Sequence, residues 1–196
     1  MTLTDRLDHA FTFARVLHDG HERKGTSIPY LAHLMSVSAL VLEHGGTEDE
    51  AIAALLHDAI EDQGGATARA EILERFGEAV SAIVDGCTDS DTTPKPPWRP
   101  RKEAYIAHLA EATTSVRLVS AADKLHNARA ILSDHRKIGD ALWSRFNVGP
   151  GEIVWYYRAL ANAFTAAGST PLTRELERTV SELARLAPPL VEPWVD

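Results

Sequence analysis

Hydrophobic positions recur at three- and four-residue steps along most of the chain, which is the spacing of one face of an α-helix. In the first segment this series is formed by Leu3, Leu7, Phe11, Ala14 and Leu17. We find neither an internal repeat nor the alternation of apolar and polar residues that a half-buried strand requires. The pattern therefore predicts an all-α protein.

Capping and helix-breaking residues set the expected bounds of the other helices. A second helix is expected over 30–43, before a Gly-Gly stop, and the capping-box sequence Thr47-Glu48-Asp49-Glu50 opens a third that runs to about residue 60. Further helical segments are expected over 67–84 with a break near 77, 101–112, 114–132, a short piece around 142–143, 152–167 and 170–186. We expect one domain over 1–187 and a C-terminal tail over 188–196.

The segment 85–100 is not expected to be helical, because it contains Pro94, Pro96, Pro97 and Pro100 among Thr, Asp and Ser residues. Proline lacks a backbone N–H donor and clashes with a preceding helical turn, so the segment predicts one long loop. Loops of this length in compact domains are often functional.

Composition restricts the class of protein. The chain has 196 residues, is 44% hydrophobic and carries a net charge of −8, which argues against binding of duplex nucleic acid but does not exclude a small anionic ligand. The single cysteine, Cys87, allows neither an internal disulfide nor a thiolate metal site. Neither a signal peptide nor an apolar run of about 18 residues is present, so we expect a cytoplasmic protein without a membrane segment.

Histidines and aspartates in three separated blocks are the main candidates for chemistry. They are His33, the adjacent pair His57-Asp58, and Asp123. Together they can surround one divalent ion, and this mixture of imidazole and carboxylate suits a first-row metal better than calcium or magnesium. Burying the Asp58 carboxylate beside an apolar run is costly unless it meets a cation. We interpret the four residues as a metal site, although His33 alone could be a core histidine and Asp123 alone a helix cap.

Two further acids, Glu61 and Asp62, follow the His57-Asp58 pair at a spacing of four residues. We expect one helix to carry all four residues, so that the pairs His57/Glu61 and Asp58/Asp62 project along neighbouring stripes of its surface. Glu61 and Asp62 would then lie one turn beyond the metal site, where they could orient a metal-bound water or move its proton. The alternative is a solvated helix end.

Basic and amide residues suggest how an anionic ligand could be held. Arg23 and Lys24 precede the helix of His33; an Arg guanidinium can stack on a base, and a Lys ammonium can contact a phosphate. Lys95 in the Pro-rich segment and Asn127, one turn after Asp123, are further candidates. The alternative for the basic pair is a solvated surface.

The remaining aromatic and histidine residues are interpreted as structural. We expect Trp143, Trp155, Tyr156 and Tyr157 in the core, with one of them able to face the pocket. The other seven histidines are expected at the surface or in packing. Among them, His126 is the one most open to a functional role, because it adjoins Asn127. The seven are His9, His18, His21, His44, His108, His126 and His135.

Taken in chain order, three motifs resemble the hydrolase domain of the Rel/SpoT alarmone enzymes. These motifs are Arg23-Lys24-x5-Tyr30-x2-His33, His57-Asp58-x2-Glu61-Asp62, and Asp123-x3-Asn127-x-Arg129. They are typical of the HD superfamily of metal-dependent phosphohydrolases, and the resemblance extends from about residue 5 to 165. The chain shows no synthetase or regulatory segment, and therefore looks like a stand-alone small alarmone hydrolase, similar to the metazoan SpoT homologue.

The resemblance implies an HD-type helical fold and a reaction that removes the 3′-pyrophosphate of ppGpp or pppGpp, yielding GDP or GTP and pyrophosphate. It implies one ion, usually Mn²⁺, with Glu61 and Asp62 as the catalytic pair. It also implies that Arg23 packs on the purine, that Lys24 contacts the ribose or phosphates and that Asn127 holds the nucleoside. The ligands of the ion would be His33, His57, Asp58 and Asp123.

Some details stay open within this resemblance. Lys95 joins the candidate substrate contacts because Thr93-Pro94-Lys95 looks similar to the stand-alone members. Ala130 stands where the larger enzymes often have a threonine near the base, so the choice between guanine and adenine is not fixed.

Other functions are compatible with the same residues. The site could act on another phosphorylated nucleotide, such as the 2′-phosphate of NADPH, or serve as an antitoxin that reverses a toxic alarmone synthetase, including pyrophosphorylated tRNA ends. A non-catalytic nucleotide-binding module is a further alternative, disfavoured because every ligand and acid position is filled. We expect a monomer or homodimer.

Overall fold

The computed structural model describes residues 2–92 and 94–186, except for the side chains of residues 62 and 63. The expected tail over 188–196 lies outside these residues. The prediction of an all-α fold is confirmed, with one isolated backbone bridge between Glu22 and Pro29. The helices are α1 Asp5–Leu17, α2 Leu31–Glu43, α3 Glu48–Leu56, α4 Ala59–Gln63, α5 Ala66–Phe76, α6 Glu78–Cys87, α7 Trp98–Glu111, α8 Thr114–Ile138, a 3₁₀ helix Gly139–Arg145, α9 Pro150–Ala167 and α10 Pro171–Leu186.

Helix α3 begins at the predicted capping box. The Thr47 side chain accepts a hydrogen bond from the Glu50 backbone N–H, and the Glu50 carboxylate accepts one from the Thr47 backbone N–H at 2.7 Å. Residues 51–56 of α3 are all buried, and the helix packs against α1, α2, α6 and α8. A helix that is apolar on every side is expected at the centre of a helical fold, and its C-terminal end therefore delivers His57 into the interior.

The Pro-rich loop is shorter than predicted. Helix α6 continues to Cys87 and α7 already begins at Trp98, so residues 88–97 form the connection. Pro100 is the third residue of α7, and the first backbone bond of this helix runs from Arg101 N–H to the Pro97 carbonyl. A proline at this position loses no hydrogen bond, because the N–H groups of a first helical turn have no partner within the helix.

Helix α8 is the longest element and extends six residues beyond its predicted end at 132. Its apolar side contributes Val119, Ala122 and Leu125 to the core, against α2, α3 and α6. Helix α10 runs parallel to it, with ion pairs Arg129–Glu175 and Arg136–Glu182. Among the helices of the described ranges, none has the length and apolar character needed to cross a bilayer.

Candidate metal centre

The four predicted metal ligands converge at one point inside the helical fold. His33 comes from α2, His57 and Asp58 from the connection between α3 and α4, and Asp123 from α8. The Nε2 atom of His33 lies 3.6 Å from Asp58 Oδ2 and 3.2 Å from Asp123 Oδ1. The Nε2 atom of His57 lies 3.0 Å from Asp58 Oδ2 and 3.6 Å from Asp123 Oδ1.

These separations fit a single ion. Ligand distances of about 2.0–2.2 Å, as for zinc with histidine and carboxylate, separate neighbouring ligand atoms by roughly 3.0–3.5 Å. His33, His57 and Asp58 can each offer one atom to a common cluster in which these atoms lie within 4.8 Å of one another. Asp123 approaches the same two imidazoles from the opposite helix.

Two buried nitrogen atoms indicate that a ligand belongs here. The Nε2 atoms of His33 and His57 are inaccessible to solvent and have no hydrogen-bond partner among the described residues. A buried polar atom without a partner is costly, and a metal ion would satisfy both lone pairs. The residues present therefore fit a divalent first-row ion.

The opposite ring nitrogens of both histidines are held by hydrogen bonds, as is usual for metal-binding imidazoles. His57 Nδ1 lies 2.8 Å from the backbone carbonyl of Ala54, which can only accept, so Nδ1 carries a proton and Nε2 is the nitrogen left to bind an ion. His33 Nδ1 lies 2.8 Å from Nδ1 of His126.

The two aspartates are anchored by other side chains. Tyr30 donates its hydroxyl proton to Asp58 Oδ2 at 2.6 Å. Lys124 donates to Asp123 Oδ2 at 2.6 Å, while the Asn127 amide N–H donates to Asp123 Oδ1. Both oxygens of Asp123 are therefore oriented before any ion binds.

Electrostatics keep both carboxylates anionic. Burial alone would raise the pKa values of both carboxyl groups. The nearby His57 holds the pKa of Asp58 well below its usual value, and the Lys124 ammonium does the same for Asp123. Burial alone would lower the pKa of His57, yet Asp58 and Asp123 raise it well above the usual value. The centre is thus a strongly cation-attracting position inside the fold.

One sequence prediction about this region is wrong. Residues 57–62 do not form one helix with α3: α3 ends at Leu56, and α4 is a separate helix that begins at Ala59. Asp58 adopts φ −96° and ψ −1°, outside regular helical geometry. The deviation turns His57 and Asp58 towards the same point, so that adjacent residues reach one site.

Of the two candidate catalytic acids, Glu61 contacts a basic residue of the Pro-rich segment. Glu61 lies on α4, one turn after Asp58, and its carboxylate accepts a hydrogen bond from the Lys95 ammonium at 2.7 Å. The structure thus joins Glu61 to the candidate substrate contact Lys95 in the connection between α6 and α7. The side chain of Asp62 lies outside the described part of the chain, so its role stays a prediction.

A pocket of about 450 Å³ adjoins the metal centre. Arg23 and Lys24 line it, and the Arg23 guanidinium donates to Asn127 Oδ1 at 2.7 Å and lies over the Tyr30 ring. Lys24 donates to Asn147 Oδ1 at 3.2 Å. The pocket is also lined by His33, Ala130, Arg145 and Tyr157.

The pocket therefore unites Arg23, Lys24 and Asn127 with the ligand His33, as their motifs suggest. Its volume is in the range of small-molecule sites. Trp143, Tyr156 and Tyr157 are buried as expected, and Tyr157 is the one of the four aromatic residues that reaches the pocket.

The sequence interpretation predicted no role at the metal centre for four residues that the structure places around it. His126 was expected at the surface or in packing, but it contacts His33 and lines the pocket, and burial lowers its pKa to about 4. Its position three residues after Asp123, on the same face of a helix, was the available signal. Tyr30 and Lys124 orient the aspartates, and the buried His18 stacks on Tyr30 with ring centroids 5.2 Å apart.

Comparison with known proteins agrees with this geometry. The HD domain family matches residues 10–143, and the chain belongs to this family. A curated relative from Xenopus tropicalis, "Guanosine-3′,5′-bis(diphosphate) 3′-pyrophosphohydrolase MESH1", is 37% identical over 61% of the chain and 66% of its own length. The Homo sapiens protein of the same name is 33% identical over 63% of the chain and 68% of its length.

A longer relative and two solved structures complete the comparison. The Escherichia coli "Bifunctional (p)ppGpp synthase/hydrolase SpoT" is 32% identical over 64% of the chain but only 18% of its own length. A structure described as "A metazoan ortholog of SpoT hydrolyzes ppGpp and plays a role in starvation responses" superposes with TM-score 0.73 over 94% of this chain and 97% of its own, at 21% identity, which shows the shared fold. The structure of lmo0812 from Listeria monocytogenes gives TM-score 0.70 at 26% identity, covering 78% of this chain and 99% of its own.

Proposed function

We propose that this protein is a metal-dependent hydrolase that removes the 3′-pyrophosphate of guanosine or adenosine alarmones, converting (p)ppGpp and water to GDP or GTP and pyrophosphate. The observation that carries the proposal is the convergence of His33, His57, Asp58 and Asp123 beside a pocket lined by Arg23 and Asn127. The names of the relatives from Xenopus tropicalis and Homo sapiens describe the same activity for those proteins and support the proposal.

In this proposal the four ligands hold one Mn²⁺ ion, whose charge would polarise the phosphate under attack and favour deprotonation of water. The bond that breaks joins the ribose 3′ oxygen to its phosphorus, and the bond that forms joins the water oxygen to the same phosphorus. Glu61 and Asp62 take the proton from water and return one to the departing 3′ oxygen. The atoms then balance without a further reactant.

The remaining candidate residues bind the substrate. Arg23 packs its guanidinium on the purine, held in place by its bond to Asn127. Lys24 contacts the ribose or phosphates. Lys95, paired with Glu61 at 2.7 Å, places a cation beside the acid that acts on the pyrophosphate. We further propose a cytoplasmic monomer or homodimer that acts on a free nucleotide.

The test is incubation of the purified protein with ppGpp and Mn²⁺, with products resolved by anion-exchange chromatography. GDP and pyrophosphate in equimolar amounts, lost on chelation, are the expected result. Asp58→Asn should abolish turnover, whereas Asp8→Asn, an exposed change on α1, should match the wild type.

Assays with other substrates would identify the alternative functions if ppGpp is not hydrolysed. No turnover of ppGpp by metal-loaded protein would contradict the proposal. The same preparation would then be assayed with ppApp, NADPH and pyrophosphorylated tRNA, because release of phosphate from NADPH or of pyrophosphate from tRNA identifies those alternatives directly. Ala130 in the pocket wall makes the ratio of ppGpp to ppApp turnover the first specificity to measure.

A further inference from the structure

His126 occupies a position between the metal centre and the nucleotide pocket. It lies on α8, three residues after Asp123, and its Nδ1 atom is 2.8 Å from Nδ1 of His33. The two rings are 4.8 Å apart between centroids, and His126 also lines the pocket of about 450 Å³. The residue therefore both contacts His33 and lines the nucleotide pocket.

The contact between the two histidines fixes their protonation if His33 binds the metal. Two nitrogens at 2.8 Å can share only one proton, so one Nδ1 donates and the other accepts. A metal-binding His33 needs the lone pair of Nε2, and its proton must therefore reside on Nδ1. It follows that His126 Nδ1 is the acceptor, and that the single proton of a neutral His126 ring resides on Nε2.

We propose that His126 is a positioning residue with two separable duties: its Nδ1 holds His33 in the metal-binding tautomer, and its Nε2–H supplies a hydrogen-bond donor to an oxygen of the bound nucleotide. This inference rests on the metal centre of the proposed function, but not on the identity of the substrate. A ligand that accepts from Nε2–H locks the proton arrangement that His33 needs, so nucleotide binding and metal binding should reinforce each other.

The tautomers can be measured in the wild-type protein without any turnover. Long-range ¹H–¹⁵N correlation spectra of protein loaded with Zn²⁺, a diamagnetic probe, distinguish protonated from unprotonated ring nitrogens. The expected result is a proton on Nδ1 of His33 and on Nε2 of His126. A proton on Nδ1 of His126 would overturn the proposal, because His33 would then be the acceptor.

Two substitutions separate the duties. Asparagine places its amide near Nδ1 of the imidazole it replaces, whereas glutamine places its amide near Nε2. His126→Asn should therefore keep affinity for Zn²⁺ or Mn²⁺ within about threefold but raise KM by roughly 3- to 10-fold, the value of one hydrogen bond. His126→Gln should weaken metal binding by about 10- to 100-fold, as loss of an orienting partner does.

The control is His135→Gln on the same helix, where the histidine contacts Asp140 and not the metal centre. Titration calorimetry should give this variant the metal affinity of the wild type. Equal metal affinities for the Asn and Gln variants of His126, whether both normal or both weakened, would overturn the proposal, because packing alone would explain them.

The tautomer spectra and the metal affinities are independent of the reaction; only the KM of His126→Asn requires turnover. If ppGpp is not hydrolysed but the tautomers and metal affinities are as expected, the positioning role stands and the proposed function fails. If ppGpp is hydrolysed but the Asn and Gln variants behave alike, the proposed function stands and the positioning role fails. Wild-type protein that binds neither Zn²⁺ nor Mn²⁺ would overturn both.

Discussion

Replacing Lys124 with methionine tests how the buried charges of the metal centre balance. The Lys124 ammonium lies 2.6 Å from Asp123 Oδ2, and the two side chains are only 15% and 7% exposed. Methionine keeps most of the volume of the lysine stem but leaves the carboxylate without its cation. Removing one partner of a buried ion pair costs about 3–5 kcal/mol. Because Lys124 retains some exposure, we expect Lys124→Met to lower the free energy of unfolding of the metal-free protein by about 3 kcal/mol, the lower end of that range.

A bound ion should reduce this loss, because it returns positive charge to Asp123. The free energy of unfolding would be measured by urea denaturation of wild-type and Lys124→Met protein, each without metal and with saturating Mn²⁺. Lys137→Met is the matched control on the same helix. Lys137 is 63% exposed and 3.6 Å from Asp134, so its loss should cost less than about 1 kcal/mol.

Two results would refute this reasoning. One is a loss for Lys124→Met no larger than that for Lys137→Met, and the other is an equal loss with and without Mn²⁺. The double variant Asp123→Asn/Lys124→Met gives an internal check. This variant removes both charges, so its destabilisation should be smaller than the summed destabilisations of the two single variants. A destabilisation equal to that sum would show that the two residues are not coupled.

Three further predictions concern protons, catalysis and the pocket wall. Burial alone would lower the pKa of His57, but Asp58 raises it well above the usual value. Metal binding near pH 7 should therefore release a proton from His57, and metal affinity should rise with pH. Calorimetry in two buffers measures the proton release, and a metal affinity that does not change between pH 6 and 9 would contradict the prediction. Glu61→Gln should keep the metal and lose about 100-fold or more in turnover in the ppGpp assay, and unchanged turnover would remove its catalytic role. Gly25 has φ +72°, and a Cβ at this position would lie 2.6 Å from Arg145 Nε. Gly25→Ala should therefore lower the free energy of unfolding by about 1–3 kcal/mol and raise KM. A Tm equal to that of the wild type in thermal unfolding would show that the substitution causes no strain.

Some features of the fold could be predicted from local sequence. The capping box before α3 and the glycine at 77 set helix ends through contacts within a few residues, and both predictions are confirmed. The ends of the Pro-rich segment were predicted wrongly. Proline is excluded from the middle of a helix but not from its first turn. In the structure α7 begins at Trp98, which packs against the core, and Pro100 lies in its first turn.

The site shows the same division. The three motifs predict His33, His57, Asp58 and Asp123 as metal ligands because imidazoles and carboxylates beside apolar runs need a partner. The motifs contain Tyr30 and Asn127 but do not show that these two side chains orient the aspartates. Tyr30 and His126 are chemically ordinary in the sequence, and their roles arise from bonds to residues 28 and 93 positions away.

The sequence by itself determined the helical class, the order of the motifs and the types of ligand, since these depend on periodicity and on the intrinsic chemistry of side chains. Only the tertiary structure decided that α3 breaks before His57, that Lys95 pairs with Glu61 and that His126 contacts His33. The physical reason is that hydrogen bonds and ion pairs depend on separations of a few ångströms between distant segments. Packing of α2, α3 and α8 around one core sets those separations.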